Sequence, residues 1–458
     1  MSFTSVGSRW SDVYLAATAR GVSGCGDFLA ATALALALQS AGAGGLAISG
    51  LLLAATLPLV ALAPLAGRLA DRVDSRKLLV GTGIAQAVTC LALAYAGHPA
   101  LIIVLAGLLA CGLAITQPTL AALVPEMVRP DELTKASAVN QTAGSIGALA
   151  GPALAGLLVG ELGTRLPLLL DAASYLALVV VGLLLRTRRG GAGPRRRRSG
   201  GAPTQPETAP VTPWRLRHDP LLLAMVIAVS GVIAGVGAIN VIDVFYIRQT
   251  LHSSTTMYGV VSAAWTAGML VGAWLFVRLG RRTTYDGVLV RTMLALLGGC
   301  CLMVLAAAAV PEARYLIPLW LVGGICNGGV SVFSNVVMAH RVPPAARGRA
   351  FAALGAALQG ASMLGYLIGG VLLESFPPRP LVAVAGLAGL AVLAFLVPPV
   401  QRTVRRERTA RSAALPRPRG APEGPGTWLG GEPDPGTDPP RPSGTEPDAG
   451  LPTSRAAA

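Results

Sequence analysis

Residues 67–77 read Gly67-Arg68-Leu69-Ala70-Asp71-Arg72-Val73-Asp74-Ser75-Arg76-Lys77. The stretch holds four cations and two anions, and it separates two apolar runs, 46–66 and 78–95. A membrane span takes about 20 apolar residues, so each run is about long enough to cross a bilayer. A loop this tight makes the two spans antiparallel neighbours. Its surplus of cations marks it as cytoplasmic under the positive-inside rule. An ordinary charged turn has no need of Gly67 or of the Asp71-Arg72 pair.

The rest of the 458 residues agrees, being 53% hydrophobic and 13% charged. Soluble chains carry about 25% charge, so this is an integral membrane protein. The net charge of +15 does not argue for nucleic acid. The excess Arg lies in loops and tails, where topology and anionic membrane lipid account for it. Cys25, Cys90, Cys111, Cys300, Cys301 and Cys326 all fall in apolar runs without metal-ligand spacing, and read as packing residues. No cleavable signal is evident, because residues 1–12 are polar and the first apolar run is long and carries Asp27. There is no P-loop, nucleophile elbow, metal-ligand cluster or haem motif. The reading is therefore no cofactor, no metal, no direct use of ATP and no enzyme activity. Richness in Ala, Gly, Arg and Pro suggests a GC-rich bacterial genome, and so a bacterial inner (plasma) membrane.

Working outward, twelve spans are predicted: 14–38, 46–66, 78–95, 100–123, 136–159, 166–185, 221–247, 258–276, 288–310, 316–339, 351–373 and 381–398. Cations crowd alternate loops, with Arg165, Arg248, Arg314 and Arg379 as exceptions on the other side. Both termini are then cytoplasmic. Residues 186–217, with Arg195-Arg196-Arg197-Arg198, divide the spans into six and six. The expected organisation is a six-helix bundle over 1–187, a disordered Arg-rich linker over 188–219, a second bundle over 220–400 and a disordered tail over 401–458. Between spans 8 and 9, Gly272-Ala273-Trp274-Leu275-Phe276-Val277-Arg278-Leu279-Gly280-Arg281-Arg282 keeps the Gly, Leu and terminal cations of the first loop but not its Asp-Arg pair.

Gly67, Leu69, Ala70, Asp71, Arg72, Arg76 and Lys77 resemble the loop between helices 2 and 3 of the major facilitator superfamily; Asp74 stands where that family usually has Gly. The resemblance implies an all-α membrane fold of two parallel six-helix bundles related by an axis along the membrane normal. It also implies a latch, in which Asp71 accepts from a neighbouring helix N-terminus and Arg72 pairs with a carboxylate, Glu126 being the candidate. In the fifth span Gly147, Gly151 and Ala155 lie four apart on one face, and Pro152 removes a backbone donor. Gly147, Gly151, Pro152 and Gly156 resemble the fifth-helix motif of drug-exporting antiporters, with Ala155 replacing a usual Gly. Gly26-Asp27, Leu123-Val124-Pro125-Glu126, Asn140, Asp171-Ala172-Ala173-Ser174-Tyr175 and Arg347-Gly348-Arg349-Ala350-Phe351 together resemble the enterobactin-exporter-like branch over the first 400 residues or so.

Ionisable groups inside lipid are costly and by default functional. Asp27 sits near the middle of span 1, two helical turns from Arg20, and pairs with it in the structural reading. In the functional reading it exchanges a proton. Asp171 and Asp243, toward the outer ends of spans 6 and 7, are further proton-coupling or outer-gate candidates. Arg20, Gln117, Asn140, Asn240, Asn327 and Gln359 are cavity candidates, while Gln39 and Gln86 read equally as interhelical glue. His98 lies in an outer loop. The function expected is proton-coupled efflux of a small amphipathic molecule (a drug, siderophore or natural product) by a monomer working through alternating access. The rivals are a proton-coupled importer on the same fold and a non-transporting sensor or scaffold.

Overall fold

The computed structural model describes residues 8–189, 219–280, 286–343 and 346–414, and all its regular elements are helices. The first half holds α1 (Trp10–Ser40), α2 (Gly45–Ala61), α3 (Ala63–Arg72), α4 (Ser75–Tyr95), α5 (Pro99–Met127), α6 (Leu133–Leu162) and α7 (Arg165–Leu184). The second holds α8 (Pro220–Phe245), α9 (Thr255–Gly280), α10 (Asp286–Ala307), α11 (Leu316–Arg341), α12 (Arg347–Leu373) and α13 (Pro378–Ala414). Eleven helices are long and apolar enough to cross a membrane, and α2 with α3 makes a twelfth span, bent by 52°. The bend has a sequence cause. Pro58 deletes a backbone donor inside α2, and Pro64 occupies the first turn of α3, so the ladder restarts at Leu62. Large side chains such as Phe395, Val104 and Tyr95 are 81%, 67% and 66% exposed, which suits lipid and not water.

Helix pairing repeats between the halves. α1 packs on α6 as α8 packs on α12, and α2 on α5 as α9 on α11. α4 packs on α7, and Gly386 and Gly389 of α13 seat against Leu305 and Cys301 of α10. Small residues allow the close approach. A Cβ on Gly147 would lie 2.8 Å from the Cys25 nitrogen and also strike the Gly21 carbonyl oxygen. In the second half Gly365 meets the Ala234 carbonyl and the Ala238 nitrogen in the same way. Register follows: Gly21 and Cys25 correspond to Ala234 and Ala238, so Asp27 corresponds to Asn240, and Gln141 to Gln359.

The halves join into one compact unit, Met1–Arg408, through contacts at the end opposite the 67–77 loop. Gly156 of α6 lies against Gly259 of α9, and Thr256 Oγ1 donates to the Gly156 carbonyl over 3.4 Å. Ser49 of α2 donates to the Tyr366 carbonyl of α12, and the Leu46 N–H donates to Glu374 Oε1 over 3.2 Å. One buried apolar cluster, including Leu38, Ile48, Val241 and Phe245, fills this end from both halves.

Two expectations change. Residues 401–414 are helical, continuing α13 where a disordered tail was expected. Arg, Gln, Glu and Ala are strong helix formers, and the helix stops two residues before Pro416. Residues 188 and 189, assigned to the disordered linker, are docked on the first bundle, as described below. The Arg195–Arg198 run, Arg281, Arg282 and residues 415–458 lie outside the described residues.

Gly147→Ala should cost about 1–3 kcal/mol of overpacking and lower the thermal midpoint of the purified protein. Gly67 sits in a helix with open space around its missing side chain. Gly67→Ala should therefore hold or slightly raise the midpoint, by the about 0.5–1 kcal/mol that Ala gains over Gly in a helix. A midpoint unchanged by Gly147→Ala would contradict the α1–α6 packing.

Candidate functional site

A cavity of about 210 Å³ opens between α1, α5 and α6. Its wall carries Arg20, Ser23 and Asp27 from α1, Thr116 and Gln117 from α5, and Gln141, Gly144 and Ser145 from α6. Phe28, Leu113, Leu120 and Ala148 supply the apolar part. Polar groups with a few apolar side chains make an amphipathic lining. Of the cavity candidates named from the sequence, Arg20 and Gln117 line this wall, and the proton-coupling candidate Asp27 lies beside them. Asn140 is not on this wall; its neighbour Gln141 is, because one residue rotates a helix by about 100°. Asn240, Asn327 and Gln359 lie in the other half and do not line this cavity. Gln86 is buried and accepts from Thr116 Oγ1 over 3.2 Å, so it joins α4 to α5.

Behind the cavity two acids meet that the sequence kept apart. Tyr175 of α7 donates its hydroxyl to Asp27 Oδ1. One turn before Tyr175, on the same face of α7, Asp171 is fully buried. Cys90 Sγ donates to Asp171 Oδ2 over 3.0 Å, and Ser174 Oγ to Asp171 Oδ1 over 3.1 Å. Gly26 is the reason α7 can bring Asp171 so near α1, since a Cβ there would lie 2.6 Å from Ser174 Oγ and against Asp171 Oδ1. Asp171 thus packs beside Asp27 on the α1 side of α7. Arg20 does not pair with Asp27: among the described residues it has no ion-pair partner, and its Nε is buried without a hydrogen bond. In the second half, Trp320 Nε1 donates to Asp243 Oδ2 over 3.1 Å, while Asp243 Oδ1 is buried without a partner. Asp243 lies at the closed end and has no counterpart acid in the first half, where the matching position is Ala30.

At the other end, Gly67 to Arg72 form the last turns of α3, so Asp71 sits at a helix C-terminus. Its partner is no helix N-terminus but Arg189, whose Nη2 lies 3.0 Å from Asp71 Oδ1. Arg189 Nη1 also donates to the Ala122 carbonyl over 3.1 Å. The Arg189 backbone exchanges bonds with Ser75, its N–H reaching Ser75 Oγ at 3.1 Å and its carbonyl the Ser75 N–H at 2.8 Å. Thr187 donates twice to the buried Asp12 of α1, from its N–H over 3.0 Å and its hydroxyl over 2.6 Å. The start of the expected linker is therefore a strap across α1, α3, α4 and α5. Arg72 and Glu126 are both exposed and form no pair among the described residues. Arg76 and Lys77 lend their backbone N–H groups to Asp74, which caps α4 at 2.8 and 3.4 Å. Asp74 has φ −58°, so the family's glycine is not required here. On the same end, the Ser8 hydroxyl donates to Glu132 and holds its carboxyl below the usual range. His98 caps α5, accepting from the Ala100 N–H over 3.2 Å.

The family model of the Major Facilitator Superfamily matches residues 16–285 and 287–430. The chain belongs to this superfamily. An uncharacterized MFS-type transporter of Bacillus subtilis, YfiS, is 26% identical over 370 residues, 77% of this chain and 84% of that protein. Among solved structures, an inward-facing, unoccupied bacterial homologue of the human lysosomal transporter Spinster has TM-score 0.64 at 13% identity, covering 91% of this chain and 99% of the other. A bacterial homologue of the iron transporter ferroportin, also inward-facing, has TM-score 0.66 at 16% identity, covering 85% and 98%. Superfamily members of this fold are transporters, so the chain is a multi-pass membrane transporter and not an enzyme.

The Asp71–Arg189 pair predicts a matched set of defects. Losing an ion pair this open to water, worth about 0–1 kcal/mol, corresponds to no more than about fivefold in an equilibrium. Asp71→Asn and Arg189→Gln should each lower transport of a shown substrate by about that factor with insertion intact. Asp74→Asn should be mild, because Asn caps a helix about as well as Asp. Equal loss at Asp71 and Asp74 would remove Asp71 from the gate.

Proposed function

We propose that the protein exports a small amphipathic molecule, of the drug, siderophore or natural-product kind, from the bacterial cytoplasm in exchange for protons. The observation that carries this reading is the Asp27–Tyr175–Asp171 cluster against a half-polar cavity within the membrane span. Two acids on facing helices form a site that can take up and release a proton. While Asp27 is ionised, Tyr175 donates to it. Once protonated, Asp27 gains a donor of its own and accepts more weakly, so the hydrogen bonds of the cluster re-sort. The rearrangement lies where α1 packs on α6 and α7, so protonation and cargo each favour a different facing state. The fifth-helix motif supports export over import. Its Gly147 and Gly151 pack α1, and its Gly156 packs α9 of the other half, so one helix touches both the cavity-bearing helix and the opposite bundle.

The positive-inside rule makes the 67–77 loop cytoplasmic, which supports an inward-facing form closed on the outer side. A reporter inserted within 190–200 or after Ala458 should then read cytoplasmic, and one at 41–44 external. An external signal from 190–200 would overturn the topology.

The coupling test uses purified Asp27→Asn in proteoliposomes, with an imposed pH gradient and a substrate that wild type is shown to move. Gradient-driven accumulation should vanish, while exchange without a gradient persists. A mutant that still concentrates substrate at the wild-type rate would assign the proton to another group. Flux in inside-out vesicles fixes direction: uptake into them on acidifying the lumen is the result expected of an exporter.

A further inference from the structure

Arg20 is a cation inside a membrane span with no ion-pair partner among the described residues. Such residues pair with one another or mark the path of a substrate. Arg20 is the eleventh residue of α1, about 15 Å of helix from its start, too deep for a loop anchor. Asp27, the one acid on the cavity wall, lies seven residues further on, about 10 Å along the axis, and is engaged by Tyr175. The Arg20 side chain passes against α6 where Gly144 leaves room, since a Cβ there would lie 3.0 Å from its Nε. That Nε is shut away without a partner, and the guanidinium lines the cavity with no ion pair among the described residues. Gln117, Gln141 and Ser145 share the wall and can donate to a further oxygen, and Phe28 and Leu113 offer apolar surface. A guanidinium fork beside neutral donors matches a planar carboxylate.

We propose that Arg20 is the anion receptor of the cavity and that the transported molecule is an amphipathic carboxylate seated on it. The proposal rests on the reading of this cavity as the transport site. Proton exchange at Asp27 and anion recognition at Arg20 occupy opposite ends of one wall, so they can be tested apart.

The test is binding of 1-pyrenebutyrate, its neutral amide and its amine analogue to the full-length protein in neutral detergent, read by fluorescence anisotropy. Wild type should bind the carboxylate about tenfold or more tightly than the amide, and the amine most weakly. Arg20→Gln should bring the carboxylate down to the affinity of the amide, whose own binding is unchanged and so reports an intact cavity. Arg20→Lys keeps the charge but not the fork, and should retain only part of the preference. It serves as the reporting variant if Arg20→Gln does not fold. The preference is read at equilibrium with no pH gradient, which separates failure of this proposal from failure of proton coupling. Equal affinities for the three probes in wild type, or a preference that survives Arg20→Gln, would overturn the assignment. Displacement of the carboxylate by phosphatidylglycerol micelles at low molar ratio would give Arg20 to a lipid headgroup and overturn it as well; a preference that persists in their presence supports cargo.

Discussion

A helix surrounded by lipid gains nothing from the hydrophobic effect by touching another helix, so close backbone approach has to hold the bundle together. Here that approach is made chiefly by α1 and α6. Gly147 and Gly151 press on Gly21, Cys25 and Phe28, and no side chain larger than hydrogen fits at either glycine. The same contact builds the site. It brings Gln141, Gly144 and Ser145 opposite Arg20, Ser23 and Asp27, and it leaves the cavity between them. On the other side of α1, Gly26 admits Asp171 and Ser174 of α7. Packing and chemistry are thus set by one pattern of missing side chains. A residue added to tighten the bundle would displace a functional group.

Much of this was readable in the sequence because lipid leaves few options. Backbone groups must be satisfied within each segment, so long apolar runs become helices and their number follows by counting. The cost of an acid in lipid singled out Asp27 without any knowledge of its neighbours. What faced Asp27 was not readable. Asp171 and Tyr175 share a helix face by their spacing of four, but nothing in the order of residues says that this face turns toward α1. Asn140 and Gln141 differ by one helical step, finer than hydropathy can resolve. Arg189 stands 118 residues from Asp71, and it lies in a stretch whose Gly, Pro and Arg content reads as linker. The Arg-rich start of the tail was misread because charge was weighed and helix propensity was not.

The two ends of the molecule are held by different forces. At the closed end the halves meet through glycines, backbone carbonyls and a shared apolar cluster. At the loop end the described ion pairs stay within a half: Asp71 with Arg189, and Asp219 with Arg341 at 2.9 Å. Asp219 also caps α8, accepting from Leu221 and Leu222, so that pair fixes a helix start and not a bridge between halves.

This division has an energetic logic. The Asp71 side chain is 66% exposed and that of Arg189 38%. A pair so open to water contributes about 0–1 kcal/mol, because solvent screens it and both side chains lose freedom. Asp71 can therefore trade Arg189 for another partner at little cost, which is what the proposed latch role would require. Burial forbids such cheap exchange at Asp171, where a lost hydrogen bond strands a carboxyl away from water. On the proposed mechanism, the change in free energy that drives the molecule from one state to the other enters at the cavity, through a proton or a cargo. The loop end reports that change and does not generate it.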